Sequence, residues 1–465
     1  MQKFAIVLLL TLLAVVGFFL FRADFSSSVD SSSAARDPGM RGGAAGAGGP
    51  IAELTETELA FFNVGKDDFE EEEQVADGLG PTMNLGSCSG CHLQPAVGGT
   101  SPRLNPQVAF ANMNGVANTV PSFITANGPV REARFVRNPD GTPDGGVHDL
   151  FTIAGRADAT GCMLAQPDFK KALADRNIIF RIPTPLFGAG LIEQIPDKVI
   201  LANQASDAPK KESLKIGGRP NIILAGHAIS GQGNNNGNDG TVARFGWKAQ
   251  NKSLLLFSGE AYNVEMGITN ELFQTERDET ATCQFATAPN DVTNTNGQTP
   301  VDAISAIEKF AFFARFLAAP TPSPDTPGGA ESIARGRNLF DSTGCGLCHT
   351  PTLNTGNATV VALRNKPVNL YSDLLVHNMG RGLADGVTQG QAGPREFRTA
   401  PLWGLGQRLF FLHDGRTSDL LEAIQAHQSG GRFTGGASEA NAVIRNFNGL
   451  RENQKQDILN FLRSL

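Results

Sequence analysis

Cys88-Ser-Gly-Cys91-His92 stands early in the chain, and Cys345-Gly-Leu-Cys348-His349 repeats its pattern late. Two thiols three residues apart reach both vinyl groups of one haem as thioethers, and the histidine that follows offers an axial nitrogen to the iron. The rival uses of Cys-x-x-Cys, half a zinc site or a redox dithiol, need a second pair nearby or a βαβ setting, and neither motif has one. With only 6 cysteines in 465 residues, composition does not produce two such pentapeptides. The sequence therefore predicts two covalently bound haem c groups, one held by Cys88, Cys91 and His92, the other by Cys345, Cys348 and His349.

Working outward, each motif carries the frame of a small cytochrome c, in which a helix before the motif crosses a helix that closes the unit. Ile333 to Phe340 forms a short amphipathic helix before the second motif, and Arg451 to Leu465 repeats Ile458, Phe461, Leu462 and Leu465 at helical spacing. Around the first motif, Thr55-Glu-Thr-Glu58 reads as a capping box opening a helix through Phe62. Gly65-Lys-Asp-Asp-Phe69 echoes Gly336-Arg-Asn-Leu-Phe340, and Asp302 to Leu317 reads as the closing helix, with Ile304, Ile307, Ala311 and Ala314 on one face. The expected fold is mainly α, with two cytochrome c-like haem domains in tandem over residues 51–318 and 331–465. A proline-rich linker, 319–330, divides them. The first domain contains an irregular, partly β insertion over about 115–240, and residues 23–50, rich in Ser, Ala and Gly, read as a flexible tether. A second repeat joins the halves: Trp247 to Leu255 aligns without gaps on His413 to Leu421, an offset of 166 at both ends (413−247 and 421−255).

Phe4 to Phe21 is apolar except for Thr11, which makes residues 1–22 a signal peptide or a retained membrane anchor. Either exports the body, so the expected location is periplasmic, tethered to the inner membrane if the segment is kept. The net charge of −7 and pI near 5.6 argue against a nucleic-acid partner. The acidic run Asp67 to Glu73 reads as a solvated helix face. Gly231 to Gly240 reads as a loop, since no helix start follows to hold a phosphate. Cys162 and Cys283, left over from the haem motifs, either pair as a disulfide in an oxidising compartment or stay as separate buried thiols.

The second half resembles the carboxyl domain of bacterial dihaem cytochrome c peroxidases and their methylamine-dehydrogenase-maturation relatives. The resemblance rests on His377-Asn-Met-Gly380, Phe397-Arg-Thr-Ala-Pro-Leu-Trp-Gly404 and Leu412-His-Asp-Gly-Arg-Thr417. The first half is similar through Cys88 to His92, Trp247 and Glu265-Met-Gly267. More narrowly, Asp77-Gly-Leu-Gly-Pro-Thr-Met-Asn84, Phe245-Gly-Trp-Lys-Ala-Gln250 and the 397–417 stretch resemble the di-haem oxidoreductases labelled peroxidases or thiol oxidoreductases, over roughly 60–465.

The resemblance implies roles for particular residues. The sixth ligand of haem 2 sits on or just after the helix that follows His413-Asp-Gly415, where this chain has His427, 78 residues past His349 (427−349). Met379 and a haem with no protein sixth ligand are the alternatives. A bis-imidazole haem is low-spin and transfers electrons, whereas a haem with a free face binds peroxide or dioxygen. No histidine follows His92 closely, so haem 1 is expected to be open unless His148 or His227 closes it. Glu265, 18 residues after Trp247 (265−247), corresponds to the acid beside the open iron, and Trp247 to the indole between the haems. His377, His413 and Arg416 are expected to hydrogen-bond near propionates or at the domain interface. Calcium between the domains occurs in some relatives. The function implied is an exported peroxidase-type oxidoreductase that reduces peroxide at haem 1, with electrons relayed through haem 2 from a small donor cytochrome or a thiol. The alternatives are a pure electron-transfer cytochrome with both haems six-coordinate, and a dioxygen-using haem oxygenase.

Overall fold

The computed structural model describes residues 34–83, 85–144, 153–223, 228–229, 232–233, 241–278, 280–430 and 436–465. These residues are mainly helical, with small two-stranded antiparallel sheets. Six helices position the site: α1 (Glu56–Glu70), α2 (Leu254–Met266), α3 (Ala306–Phe316), α4 (Ala330–Thr343), α5 (Leu420–Ala426) and α6 (Glu452–Ser464). Four strands matter to it: β1 (Glu132–Phe135) paired with β2 (Ile178–Arg181), and β3 (Val376–Asn378) paired with β4 (Glu396–Arg398).

The helix frame is built twice by the same device. The Thr55 hydroxyl accepts from the Glu58 N–H while the Glu58 carboxylate accepts from the Thr55 N–H, so α1 opens where the capping box predicts. It then runs past Phe62 to Glu70, because Gly65 and Phe69 continue its buried face. Gly65 lets α1 cross α3 at backbone contact, since a Cβ there would lie 2.1 Å from the Lys309 carbonyl oxygen. Gly336 does the same where α4 crosses α6, at 2.0 Å from the Asp457 carbonyl oxygen. A glycine inside a helix costs about 1 kcal/mol against alanine, which the close crossing offsets through apolar burial. One turn on, Phe69 and Phe340 set their rings near the motif histidines, at 5.9 Å from His92 and 6.3 Å from His349. Phe313 and Phe461 back them from the partner helices, at 4.9 and 5.5 Å.

The 166-residue offset is also structural. The isolated bridge Phe245↔Asn251 recurs as Phe411↔Thr417 (411−245 and 417−251). Ser253 caps α2 as Asp419 caps α5 (419−253), and the helices begin at Leu254 and Leu420 (420−254).

Several expectations need correction. The closing helix of the first unit starts at Ala306, not Asp302. Ser305 and Glu308 form a capping box there, Pro300–Ala303 makes a separate turn, and Ile304 falls between the two, off the buried face. Residues 34–50 are no loose tether. Ala35 is buried among Ile458, Leu462 and their neighbours, Asp37 pairs with Arg463 at 2.6 Å, and the Ala318 and Thr321 N–H groups donate to Gly49 and Gly46. Small side chains let this backbone run flat against the body, which a composition-based reading of disorder misses. The acidic run is not wholly solvated either: Tyr262 donates to Glu73 at 2.7 Å, and Asp68 pairs with Lys309 at 2.9 Å.

Cys162 and Cys283 form a disulfide that ties the insertion to the segment before α3. The halves meet at a buried ion cluster in which Asp385 takes Arg181 and, at 3.2 Å, Lys248. The Lys248 ammonium also donates to the Gly393 and Glu396 carbonyls. Residues 1–33, with the expected export segment, and most of 231–240, with the expected loop, lie outside the described residues. Among the described residues, no helix is long and apolar enough to cross a membrane.

Candidate functional site

Each haem motif opens into a cavity, and each motif histidine is oriented from behind. The His92 Nδ1 lies 2.9 Å from the Gly99 carbonyl and the His349 Nδ1 3.0 Å from the Tyr371 carbonyl. Donation from Nδ1 leaves Nε2 with a free lone pair for a metal. Burial lowers the pKa of both rings, His349 to about 4 with His427 adding to the effect, so both stay neutral as ligation requires.

In the first cavity the wall facing the motif is acidic. It includes Glu132 from β1 and Glu260 and Glu265 from α2, with Arg134 among them. Arg134 donates to Glu132 at 2.7 Å and stands 4.0 Å from Glu265. Burial, then the neighbouring Glu132, pushes Glu265 well above the usual carboxylate range, against the pull of Arg134. Its side chain keeps 35% of its surface, and it lines the cavity. Glu260 is raised by burial as well and accepts from the Asn251 amide. The arrangement holds an exchangeable proton beside a charged partner, the disposition a general acid needs.

The second cavity is mostly apolar, and its notable pair is His349 with His427. Their ring centroids are 6.5 Å apart. Two imidazoles on opposite faces of one iron would stand roughly 6.4 Å apart, from about 2 Å per metal–nitrogen bond and about 1.2 Å from nitrogen to ring centre. The His427 Nδ1 lies 2.8 Å from the Ala423 carbonyl, which again frees Nε2. Met379 lines the same cavity. Arg398 and Arg408 also line it, and burial pulls both down to about 10. Neither forms a salt bridge among the described residues. Two mutually repelling guanidiniums in an apolar cavity fit a ligand that brings two carboxylates, as a haem does. Each cavity thus fits a haem on its cysteine pair and oriented imidazole.

The 166-residue offset also relates the facing walls of the two cavities, and among the described residues it shows what the first has in place of His427. Leu420, Ala423, Ile424 and His427 line it from α5, and Leu254, Phe257, Ser258 and Ala261 line the first from α2. The pairs match position by position (420−254, 423−257, 424−258, 427−261). A methyl group stands at the first cavity's counterpart of His427.

Trp247 belongs to the walls of both cavities. Its indole N–H donates to the Ile182 carbonyl at 3.0 Å, and its ring meets His413 edge-on at 6.4 Å. His413 stacks on Phe397 at 4.3 Å and is kept neutral, first by burial and then by Arg181, Arg416 and Lys248. His377 bridges two carboxylates, Asp373 at 2.9 Å and Glu439 at 2.8 Å. Burial opposes its charge, and the neighbouring Asp373 carboxylate favours it. Arg416 pairs with Asp414 at 2.6 Å and is not part of the second cavity's wall. His148 and His227 lie outside the described residues. Cys348, Asp373 and His377 form the one tight group of metal-ligating type among the described residues. A sulfur and an imidazole do not suit calcium, which prefers oxygen ligands.

Glu132, Arg134, Arg398, Arg408 and the meaning of Ala261 escaped sequence reasoning. The 166-residue offset carried the signal for Ala261, and Arg398 lies inside a family motif. Glu132 and Arg134 gave none, because the fold of the insertion brings them to the haem motif.

A family model described as "Di-haem oxidoreductase, putative peroxidase" matches residues 135–465, a span that starts after the first haem motif. No curated protein matches. Among solved structures, the chain is similar to hydrazine synthase of Kuenenia stuttgartiensis (18% identity over 36% of this chain and 56% of that one, TM-score 0.24). It is also similar to a MauG-like protein associated with microbial copper homeostasis (20% identity, 37% and 58%, TM-score 0.24). The matched region spans little more than half the length of each.

Proposed function

The chain belongs to the di-haem oxidoreductase family, and on that premise we propose that it is an exported peroxidase with two c-type haem domains in tandem, residues 51–318 and 331–465. Cys88, Cys91 and His92 would hold haem 1, and Cys345, Cys348 and His349 would hold haem 2, with His427 as its second imidazole ligand. When bound, the open haem supplies a place for peroxide and the closed one a store for an electron. The observation that carries this reading is the asymmetry of the two cavities across Trp247: Glu132, Glu260, Glu265 and the Ala261 methyl group line the first, and His427 sits 6.5 Å from His349 in the second.

The protein's own residues handle protons and position. Reducing a peroxide to two waters takes two electrons and two protons. Glu265, held toward its protonated form by burial and by Glu132, gives one proton to the peroxide oxygen that leaves as water, solvent gives the other, and Arg134 steadies the carboxylate left behind. Trp247, fixed by its bond to Ile182, shortens the path between the cavities. Export is supported by the apolar stretch Phe4 to Phe21 and by the Cys162–Cys283 disulfide, which suits an oxidising compartment. The donor is a small cytochrome or a thiol.

Paramagnetic resonance of the ferric protein tests the asymmetry: one high-spin and one low-spin signal are expected, and two low-spin signals would leave only an electron carrier. Reduced protein mixed with peroxide should reoxidise rapidly, and Glu265→Gln should slow that step by about 10²-fold. Equal rates in the two proteins would remove Glu265 from the chemistry.

A further inference from the structure

A third hollow lies on the seam between the halves, outside both haem cavities. It is a cleft of about 690 Å³, a size that suits a small molecule rather than a protein surface. The first half contributes Arg137 and the Asp175–Phe180 stretch, and the second contributes Ala384–Gly386 and His413, Asp414 and Arg416. His413 belongs to the walls of both this cleft and the second haem cavity.

The cleft wall carries three arginines and three aspartates, and each of the aspartates already has an ion-pair partner. Asp385 is taken by Arg181 and Lys248, Asp414 by Arg416, and Asp175 by Lys171. Arg137 and Arg176 make no ion pair among the described residues, which leaves two positive charges in a chain whose net charge is −7. The rim that presents them is built. The Arg137 N–H donates to the Asn177 side-chain oxygen at 2.9 Å, and the Asn177 amide returns a bond to the Arg137 carbonyl at 3.0 Å. Arg176 takes a positive φ of 56°, stabilised where its N–H donates to the Leu173 carbonyl at 3.2 Å.

We propose that this cleft binds a small anionic organic reductant through Arg137 and Arg176 and delivers its electrons to haem 2 past His413. One electron leaves the bound anion and reduces ferric haem 2 to ferrous, and any proton the spent donor loses goes to bulk water. A second donor molecule supplies the second electron. The inference rests on the relay proposed above and narrows its donor to a small anion, yet its binding step is measurable without any peroxide chemistry.

The test compares the native holoprotein with Arg137→Gln/Arg176→Gln, two exposed changes outside the haem cavities. Calorimetric titration with citrate, an inert organic anion, should give binding in the native protein and at least about tenfold weaker binding in the variant. In stopped flow, reduction by dithionite, an anion, should slow about tenfold in the variant, while reduction by the methyl viologen cation radical should not slow. Citrate should inhibit dithionite reduction in the native protein only. Equal citrate affinity in the two proteins overturns the proposal, as does equal slowing with both reductants. Peroxide reoxidation, recorded separately, should match in the two proteins, so failure of the cleft and failure of the peroxidase reading give different results.

Discussion

The two haem cavities share a scaffold and diverge at a few side chains. Both rest on a glycine crossing, a phenylalanine one turn later and an imidazole aimed by a backbone carbonyl. Above that base, α2 and α5 present matching positions, but Ala261 stands where α5 has His427, and the insertion adds Glu132 and Arg134 to one side only. The frame therefore fixes where a haem sits, and the facing helix with its insertion decides what that haem can do.

The largest effect should come from making the cavities alike. Ala261→His should convert haem 1 to a low-spin, six-coordinate centre and abolish peroxide-driven reoxidation, read by paramagnetic resonance and stopped flow. A variant that stays high-spin would mean that α2 and α5 do not face their haems equivalently.

Next in size is the acid side. In Glu132→Gln, Glu265 loses the like charge that helps burial to hold its proton, so its pKa should fall. The protonated form is the active one, so the peroxide reaction is full below that pKa and is lost as pH rises through it. The alkaline limb of the pH profile should move to lower pH in the variant, with about a tenfold loss of rate at a fixed pH on that limb. An unmoved limb would separate Glu132 from the proton that matters.

The smallest effect probes the shared base. Gly65→Ala and Gly336→Ala each drive a methyl group into a carbonyl, and each should cost about 3 kcal/mol in denaturant unfolding. Similar losses at the two sites would support a common frame, and a large inequality would count against it.

How much of this was legible beforehand follows from how local each feature is. The haem motifs, the capping box at Thr55 and the Gly65/Gly336 echo are short patterns whose physics lies in neighbouring residues. Placing His427 opposite His349 needed the family resemblance, since nothing local in the sequence distinguishes it from His377, which bridges carboxylates instead. Glu132 and Arg134 lie 40 and 42 residues from His92 (132−92 and 134−92), and no spacing rule spans the irregular chain between. The packing of residues 34–50 was hidden for another reason: a Gly/Ala/Ser segment shows no periodic face, and it is held by main-chain bonds and by Asp37.

Trp247 and His413 occupy equivalent places in the 166-residue repeat, and they touch. A position that meets its own counterpart is what a local twofold axis between the two copies would produce, the arrangement by which identical subunits pair. In one continuous polypeptide the two sides of that axis became free to differ, indole on one and imidazole on the other. What would have been a self-matching contact between twins is here a joint with unlike ends, one in the wall of both haem cavities and the other in the wall of one.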